Sequence, residues 1–467
     1  MSTKKSSLTY EPVSAWDACA TTTRRRQVGA LAQRYIDFLS ACKTERETIA
    51  YVQKRLAEAG FGEDFRKASV MRSLRGKCLF AVRKGRSTLA SGVRLIAAHA
   101  DSPRLDFKQR PLVEQAGVVQ GKTHYYGGIR KYQWLARPLA LHGVVILENG
   151  KSVPVCIGEK PGDPVFTIAD LLPHLAQKQS SQKVSEAFEG EKLNVVLGHS
   201  PALASAASAK KDADGKDPLK AHVLQLLNEQ YGIREEDLIT AELQAVPAGP
   251  ARFVGLDRGL VGGYGQDDRI CVFAALEALT SARAVSNGQT MAVIFWDKEE
   301  IGSDGATGAS SRFLQYCMED MVRAWAPAIP VSQVFLRTRA LSADVTAALD
   351  PDFPEVHEKQ NAALLGCGPC FCKFTGSRGK YGASEAEAEF FAEVRGLFNK
   401  KNIPWQVAEL GKVDTGGGGT VALFLAAYGM DVIDLGPALL SMHSPFELSS
   451  VADIAATVDA YRAFLEG

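Results

Sequence analysis

The sequence predicts an α/β protein: a mixed, largely parallel sheet flanked by helices, interrupted by an inserted β-rich domain. Three observations carry this. Met291 to Trp296 is an unbroken apolar run, the pattern of a strand buried on both faces beneath helices. Val93 to Asp101 repeats the strand pattern and ends in His-x-Asp. Between residues 107 and 249 the texture changes to short strand-like runs separated by turns. At 467 residues the chain exceeds what one hydrophobic core usually supports. The expected division is therefore a main domain built from 1–106 and 250–467, with 107–249 inserted between its halves.

Composition sets further bounds. With 46% hydrophobic and 23% charged residues, the chain reads as an ordinary soluble globular protein. A net charge of +1 gives no electrostatic reason to expect nucleic acid or an anionic membrane as partner. Met1 to Val13 is polar and lacks the apolar centre of a signal peptide. No apolar run approaches the roughly 20 residues of a membrane span. Nine cysteines are scattered along the chain, which suits reduced thiols in a cytoplasmic protein.

In chain order, residues 24–60 read as two helices. Thr44 and Glu47 form a capping box for the second, and Gly60 closes it. Inside the insert, Gly143 to Leu147 and Val153 to Ile157 read as strands. Thr167 to Gln177 reads as a helix, and Ser205 to Lys220 as a mobile loop. The insert's histidines (His124, His142, His174, His199, His222) show no metal-ligand spacing. After Pro250, the turn Gly262 to Gly265 leads through Gln266-Asp267-Asp268-Arg269 into an apolar helix. Val334 to Leu336 marks a further strand before Asp344. Asp431 to Gly436 is another, and an amphipathic helix from Ser450 to Leu465 ends the chain.

Three near-motifs are set aside. His357-Glu358-Lys359-Gln360-Asn361 falls short of the zinc motif His-Glu-x-x-His, because Asn361 stands at the second ligand and Pro351 and Pro354 oppose a helix. Cys367, Cys370 and Cys372 lack the second pair of a zinc site and read as structural thiols. Gly416 to Thr420 lacks the Gly-Lys-Ser/Thr ending of a phosphate loop.

The chemistry gathers at strand ends, where open α/β sheets place their ligands. Glu299 and Glu300 follow the run at 291–296, and on extended backbone adjacent side chains face opposite ways. One could hold a metal while the other handles a proton. His99 and Asp101 lie two apart and face the same side, so Asp101 could fix the ring's tautomer. Asp344 and His443 follow two other strands, and Asp267/Asp268 open a helix. First-turn aspartates also simply favour the helix dipole. Two histidines with several carboxylates suit a pair of borderline divalent ions such as zinc, manganese or cobalt. Residue spacing points as far as metal-assisted hydrolysis.

The stretches His99 to Lys108, Gln266-Asp267-Asp268, Glu299 to Ser303, Ser342-Ala343-Asp344 and Met442-His443-Ser444 resemble the aspartyl aminopeptidase and vacuolar aminopeptidase I family. The likeness spans nearly the whole chain in the expected order. It implies a zinc exopeptidase-like α/β domain interrupted by a dimerisation domain, and two divalent ions per subunit, zinc first with manganese or cobalt as alternatives. Matching the motifs makes His99 and Asp344 ligands of one ion, Glu300 and His443 of the other, and Asp267 the bridge. Glu299 becomes the general base, Asp101 the group orienting His99, and His357 and Tyr381 substrate contacts. The implied activity is removal of single N-terminal residues, acidic or neutral, from peptide substrates. The implied assembly is a homo-oligomer of dimers arranged as a tetrahedral dodecamer. Two alternatives stand beside it: a metal-dependent carboxypeptidase or N-deacylase on the same site, and a non-catalytic assembly protein, against which the complete ligand set argues. The chain departs from the family pattern in the insert, with Gly127-Gly128-Ile129-Arg130 and Trp134-Leu135-Ala136-Arg137.

Overall fold

Alternation along the apolar strands builds the main core. In the computed structural model, which describes residues 8–202, 217–283 and 288–467, one eight-stranded sheet is made from β1 (Ser69–Leu74), β2 (Cys78–Arg83), β3 (Val93–His99), β4 (Thr290–Trp296), β5 (Arg339–Ser342), β6 (Cys370–Cys372), β7 (Gln406–Val407) and β8 (Asp431–Gly436). Their spatial order is β1-β2-β4-β3-β5-β8-β6-β7. The central four, β4, β3, β5 and β8, run parallel; β2 joins them antiparallel on one side and β6 on the other, with β1 antiparallel to β2 and β7 parallel to β6.

Every residue of β4 is buried, because both faces of the sheet are covered. Met291, Val293 and Phe295 join a cluster with helices α1 (Thr22–Ala41), α2 (Glu45–Glu58), α3 (Gln266–Ser281), α6 (Ala388–Lys401) and α7 (Val451–Glu466). Ala292, Ile294 and Trp296 point the other way, against α4 (Phe313–Trp325) and α5 (Val331–Arg337). A side chain the size of Phe295 gains about 1.5–3 kcal/mol from such burial. That gain explains a run with no polar interruption.

The chain divides into two compact units. One comprises Met1–Asp101, Ala251–Met442 and Glu447–Gly467; the other comprises Ser102–Pro250 with His443–Phe446. The first also holds a five-stranded sheet in the order Arg252–Val254, Leu260–Gly263, Glu447–Ser450, Ala438–Leu440, Thr346–Ala347. This sheet sets the segment before Asp267 beside segments that follow Asp344 and precede α7. The second unit is built on six antiparallel strands, in the order Ser152–Ile157, Leu139–Ile146, Glu242–Pro247, Arg104–Gln115, Val118–Tyr126, Val195–Gly198. Among the described residues no helix is long and apolar enough to cross a membrane.

Three expected elements differ. Thr167 to Gln177 is not a helix: Thr167 bridges Val196, and helix begins only at Gln177–Ser180. Pro173, in the middle of that stretch, removes a donor and disfavours helix at the residue before it. Val334 to Leu336 lies in α5 rather than a strand, and the strand that precedes Asp344 is β5. Of the expected loop Ser205 to Lys220, residues 205–216 lie outside the described residues, while Pro218 opens the helix Pro218–Tyr231.

Candidate metal centre

Parallel register brings the first candidates together. β3 and β4 end level, with His99 opposite Trp296, and β5 pairs the other edge of β3. His99, the turn after β4 and Asp344 therefore leave the same end of the sheet. His99 is 1% exposed. Its Nδ1 lies 3.2 Å from Asp101 Oδ1, while its Nε2 lies 3.3 Å from Asp267 Oδ1 and 3.9 Å from both Glu299 Oε2 and Asp344 Oδ1. One ring nitrogen thus faces an orienting carboxylate and the other faces three.

Asp101 has a second task. Its Oδ1 accepts from the Glu299 amide at 3.1 Å and its Oδ2 from the Glu300 amide at 3.2 Å. The buried carboxylate pins the turn carrying both glutamates as well as the imidazole. That turn is not extended: Glu299–Ile301 is a single 3-10 turn between left-handed Lys298 and Gly302. Successive side chains there diverge by about 120°, because the 3-10 turn holds three residues. Glu299 and Glu300 still point differently, for a reason other than strand alternation.

The two aspartates of α3 also separate. Both depart from helical dihedrals, with φ −79°, ψ 110° at Asp267 and φ −112°, ψ 26° at Asp268. Asp267 turns its carboxylate to His99 Nε2. Asp268 Oδ2 accepts from the His99 backbone amide at 3.3 Å. Before them Gly265 is left-handed, φ +71°, and a Cβ there would come within 1.9 Å of an Arg269 guanidinium nitrogen. Only glycine fits that corner.

His99, Asp267 and Asp344 each offer a ligand atom within 4.8 Å of the others, and the same holds between carboxylate oxygens of Asp267 and Glu300. Burial pushes the Asp344 carboxyl well above its usual range, and the charge of Asp268 adds to this. Burial likewise raises Asp268. Burial opposes a charged His99, yet hydrogen bonds to Asp101 and Asp267 lift it well above its ordinary value. The pocket is crowded with negative charge. An imidazole nitrogen among buried carboxylate oxygens is the donor set a borderline dication takes, so these residues fit the expected metal.

Three further candidates are His443, His357 and Tyr381. His443 has φ +63° and belongs to the short segment grouped with the second unit, where its Nδ1 lies 2.9 Å from the Gly128 carbonyl oxygen. That carbonyl sits in the stretch where the sequence departs from the family pattern. His357 is buried, with Nδ1 lacking a hydrogen-bond partner among the described residues, and Tyr381 is exposed, its backbone paired with Ser377. Neither belongs to the ligand groups among the described residues. Glu358 caps the turn Lys359–Asn361 through the amides of Gln360 and Asn361, consistent with rejecting a zinc helix there. Glu447 carries a role the sequence did not signal: its carboxylate accepts from the Gln266 and Asp267 amides. No local spacing relates residues so distant in the chain.

Comparison with known proteins follows the same lines. Residues 38–465 match the model of a family described as aminopeptidase I zinc metalloprotease (M18). A relative from Clostridium acetobutylicum, described as a probable M18 family aminopeptidase 1, is 44% identical over 470 residues, covering 98% of this chain and 99% of its own. One of the same description from Thermotoga maritima is 46% identical over 452 residues, covering 95% and 97%. The crystal structure of an M18 family aminopeptidase from Thermotoga maritima superposes with a TM-score of 0.91 at 45% identity, covering 98% of this chain and all of that one.

Proposed function

The chain belongs to the aminopeptidase I zinc metalloprotease family and is a metal-dependent aminopeptidase; from that premise we propose how its own residues carry the hydrolysis. His99 and Asp344 would hold one divalent ion, Glu300 and His443 would hold a second, and Asp267 would serve both. Zinc is the first choice, with manganese or cobalt able to occupy the same donors. The observation that carries this reading is the buried convergence of His99, Asp267 and Asp344, with Glu300 within ligand distance of Asp267.

Bound ions would polarise the substrate carbonyl and lower the pKa of water, supplying hydroxide at neutral pH. Glu299 Oε2 accepts the proton of the attacking water and returns it to the nitrogen of the departing peptide as the C–N bond breaks. Such proton transfer contributes typically ~10²–10⁴-fold. Asp101 holds His99 in the tautomer with Nε2 free, and it holds the glutamate turn in place. Asp268 takes no direct part and steadies the His99 backbone. His357 and Tyr381 contact substrate, and the inserted region 107–249 carries most of the contact between subunits of a dimer, the unit of a tetrahedral dodecamer.

The test compares one peptide with a free N-terminus against its N-acetylated and C-amidated forms, with and without chelator. The aminopeptidase reading expects cleavage of the free-amine and C-amidated peptides only, abolished by chelator. Cleavage requiring a free carboxylate, or unaffected by chelator, would overturn it.

A further inference from the structure

The first amides of a helix have no partner within it. In α3 they are supplied from far along the chain. Glu447, 1% exposed, accepts at Oε2 from the Gln266 amide at 2.5 Å and the Asp267 amide at 3.3 Å. The Gln266 side chain returns the tie: its Nε2 donates to the Glu447 carbonyl oxygen at 2.6 Å and to Val261 at 3.1 Å. Its Oε1 accepts from Tyr35 at 3.1 Å and Ser449 at 2.6 Å. Two donors and two acceptor contacts satisfy a fully buried amide. The strand Glu447–Ser450 also pairs with Leu260–Gly263, which leads into Gly265. The turn carrying Asp267 is thus clamped at its backbone, its neighbour's side chain and the strand before it.

Asp267 needs such a clamp. It sits outside helical dihedrals, two residues after the left-handed Gly265, so the helix itself does not fix its backbone. We infer that Glu447 is the positioning residue for Asp267: its buried carboxylate, by capping the amides of Gln266 and Asp267, aims the Asp267 carboxylate at the place where both ions meet. This rests on the reading of Asp267 as the bridge. Because a bridge serves both ions, loosening it weakens both, whereas loosening a terminal ligand would weaken one. Partners of this kind, one step behind a ligand, typically change metal affinity 10–100-fold when removed.

The experiment titrates zinc into the metal-free full-length protein against a chromogenic chelator, for wild type, Glu447→Ala, Glu447→Gln and Glu447→Asp, with thermal unfolding of each metal-free protein alongside. Glutamine keeps an acceptor oxygen at the same reach; aspartate keeps the charge but falls one methylene short. The expected result is a loss of about 10–100-fold for both ions in the alanine variant, a similar direction in the aspartate variant, and recovery to near wild type in the glutamine variant. Should alanine prevent folding, the aspartate and glutamine variants decide alone, in the same expected order. Two ions bound as tightly by the alanine or aspartate variant as by wild type would overturn the inference, as would a folded glutamine variant no better than aspartate. Wild type binding no second ion would instead bring down the two-ion reading, so the two failures are distinct.

Discussion

At the scale of single residues, the site works by giving each carboxylate one geometry. Asp101 shows how much one buried side chain can fix, since it meets an imidazole nitrogen and two amides at once. Asp453 shows the cost of the same device away from the candidate metal centre. Its two oxygens each accept at 2.7 Å from the amides of Gly366 and Gly368, and burial raises its pKa to about 7. An unfolded aspartate titrates at about 3.9. Between those values the folded state keeps a proton the unfolded state has lost, so this group's contribution to stability falls as pH rises from about 4 to 7. Asp453→Asn should show a flatter dependence across that window than wild type, read from urea midpoints at successive pH values. Parallel curves would contradict the assignment.

Among the elements, the best-read one was local. Thr44 accepts from the Glu47 amide and the Glu47 side chain returns to the Thr44 amide, the complete capping box of α2. Thr44→Ala should therefore cost about 1 kcal/mol in a denaturant titration, and no measurable loss would contradict it. Signals of this kind are legible because cap, periodicity and strand burial are written within a few residues of one another. β4 was legible for the same reason, its apolar run matching burial on both faces. Where the sequence misled, longer-range packing decided. Val334 and Phe335 carry β-forming side chains, yet one face of a short helix buries them. Glu299 and Glu300 followed a strand, but the left-handed residues either side of their turn ended extended backbone at once. Glu447 was invisible for a plainer reason: its partners lie 180 and 181 positions away.

For the molecule as a whole, fold class and family were readable because the strand-end residues recur in order across nearly the entire chain, and residues 38–465 match the family. His99 and the segments carrying Glu299 and Asp344 leave the carboxyl end of the parallel strands, the general location of ligands in open α/β folds. What the second unit does is a question of assembly. If residues 107–249 carry the dimer contact, light scattering on the intact protein at ordinary concentration should find a particle larger than one chain. A monomer would contradict that proposal without touching the metal centre.

We propose that Glu299 moves a proton while Glu300 holds an ion, and metal content measured beside kcat in the paired amide variants separates the two roles. Glu299→Gln keeps its shape but cannot take the proton of water, so it should retain both ions while kcat falls by about 10²–10⁴-fold. Glu300→Gln offers a weaker, neutral oxygen, so one ion should be lost or loosely bound, and added metal should restore part of its activity. Loss of metal from Glu299→Gln with both ions retained by Glu300→Gln would invert the assignment, and full activity in both variants would place the reaction elsewhere.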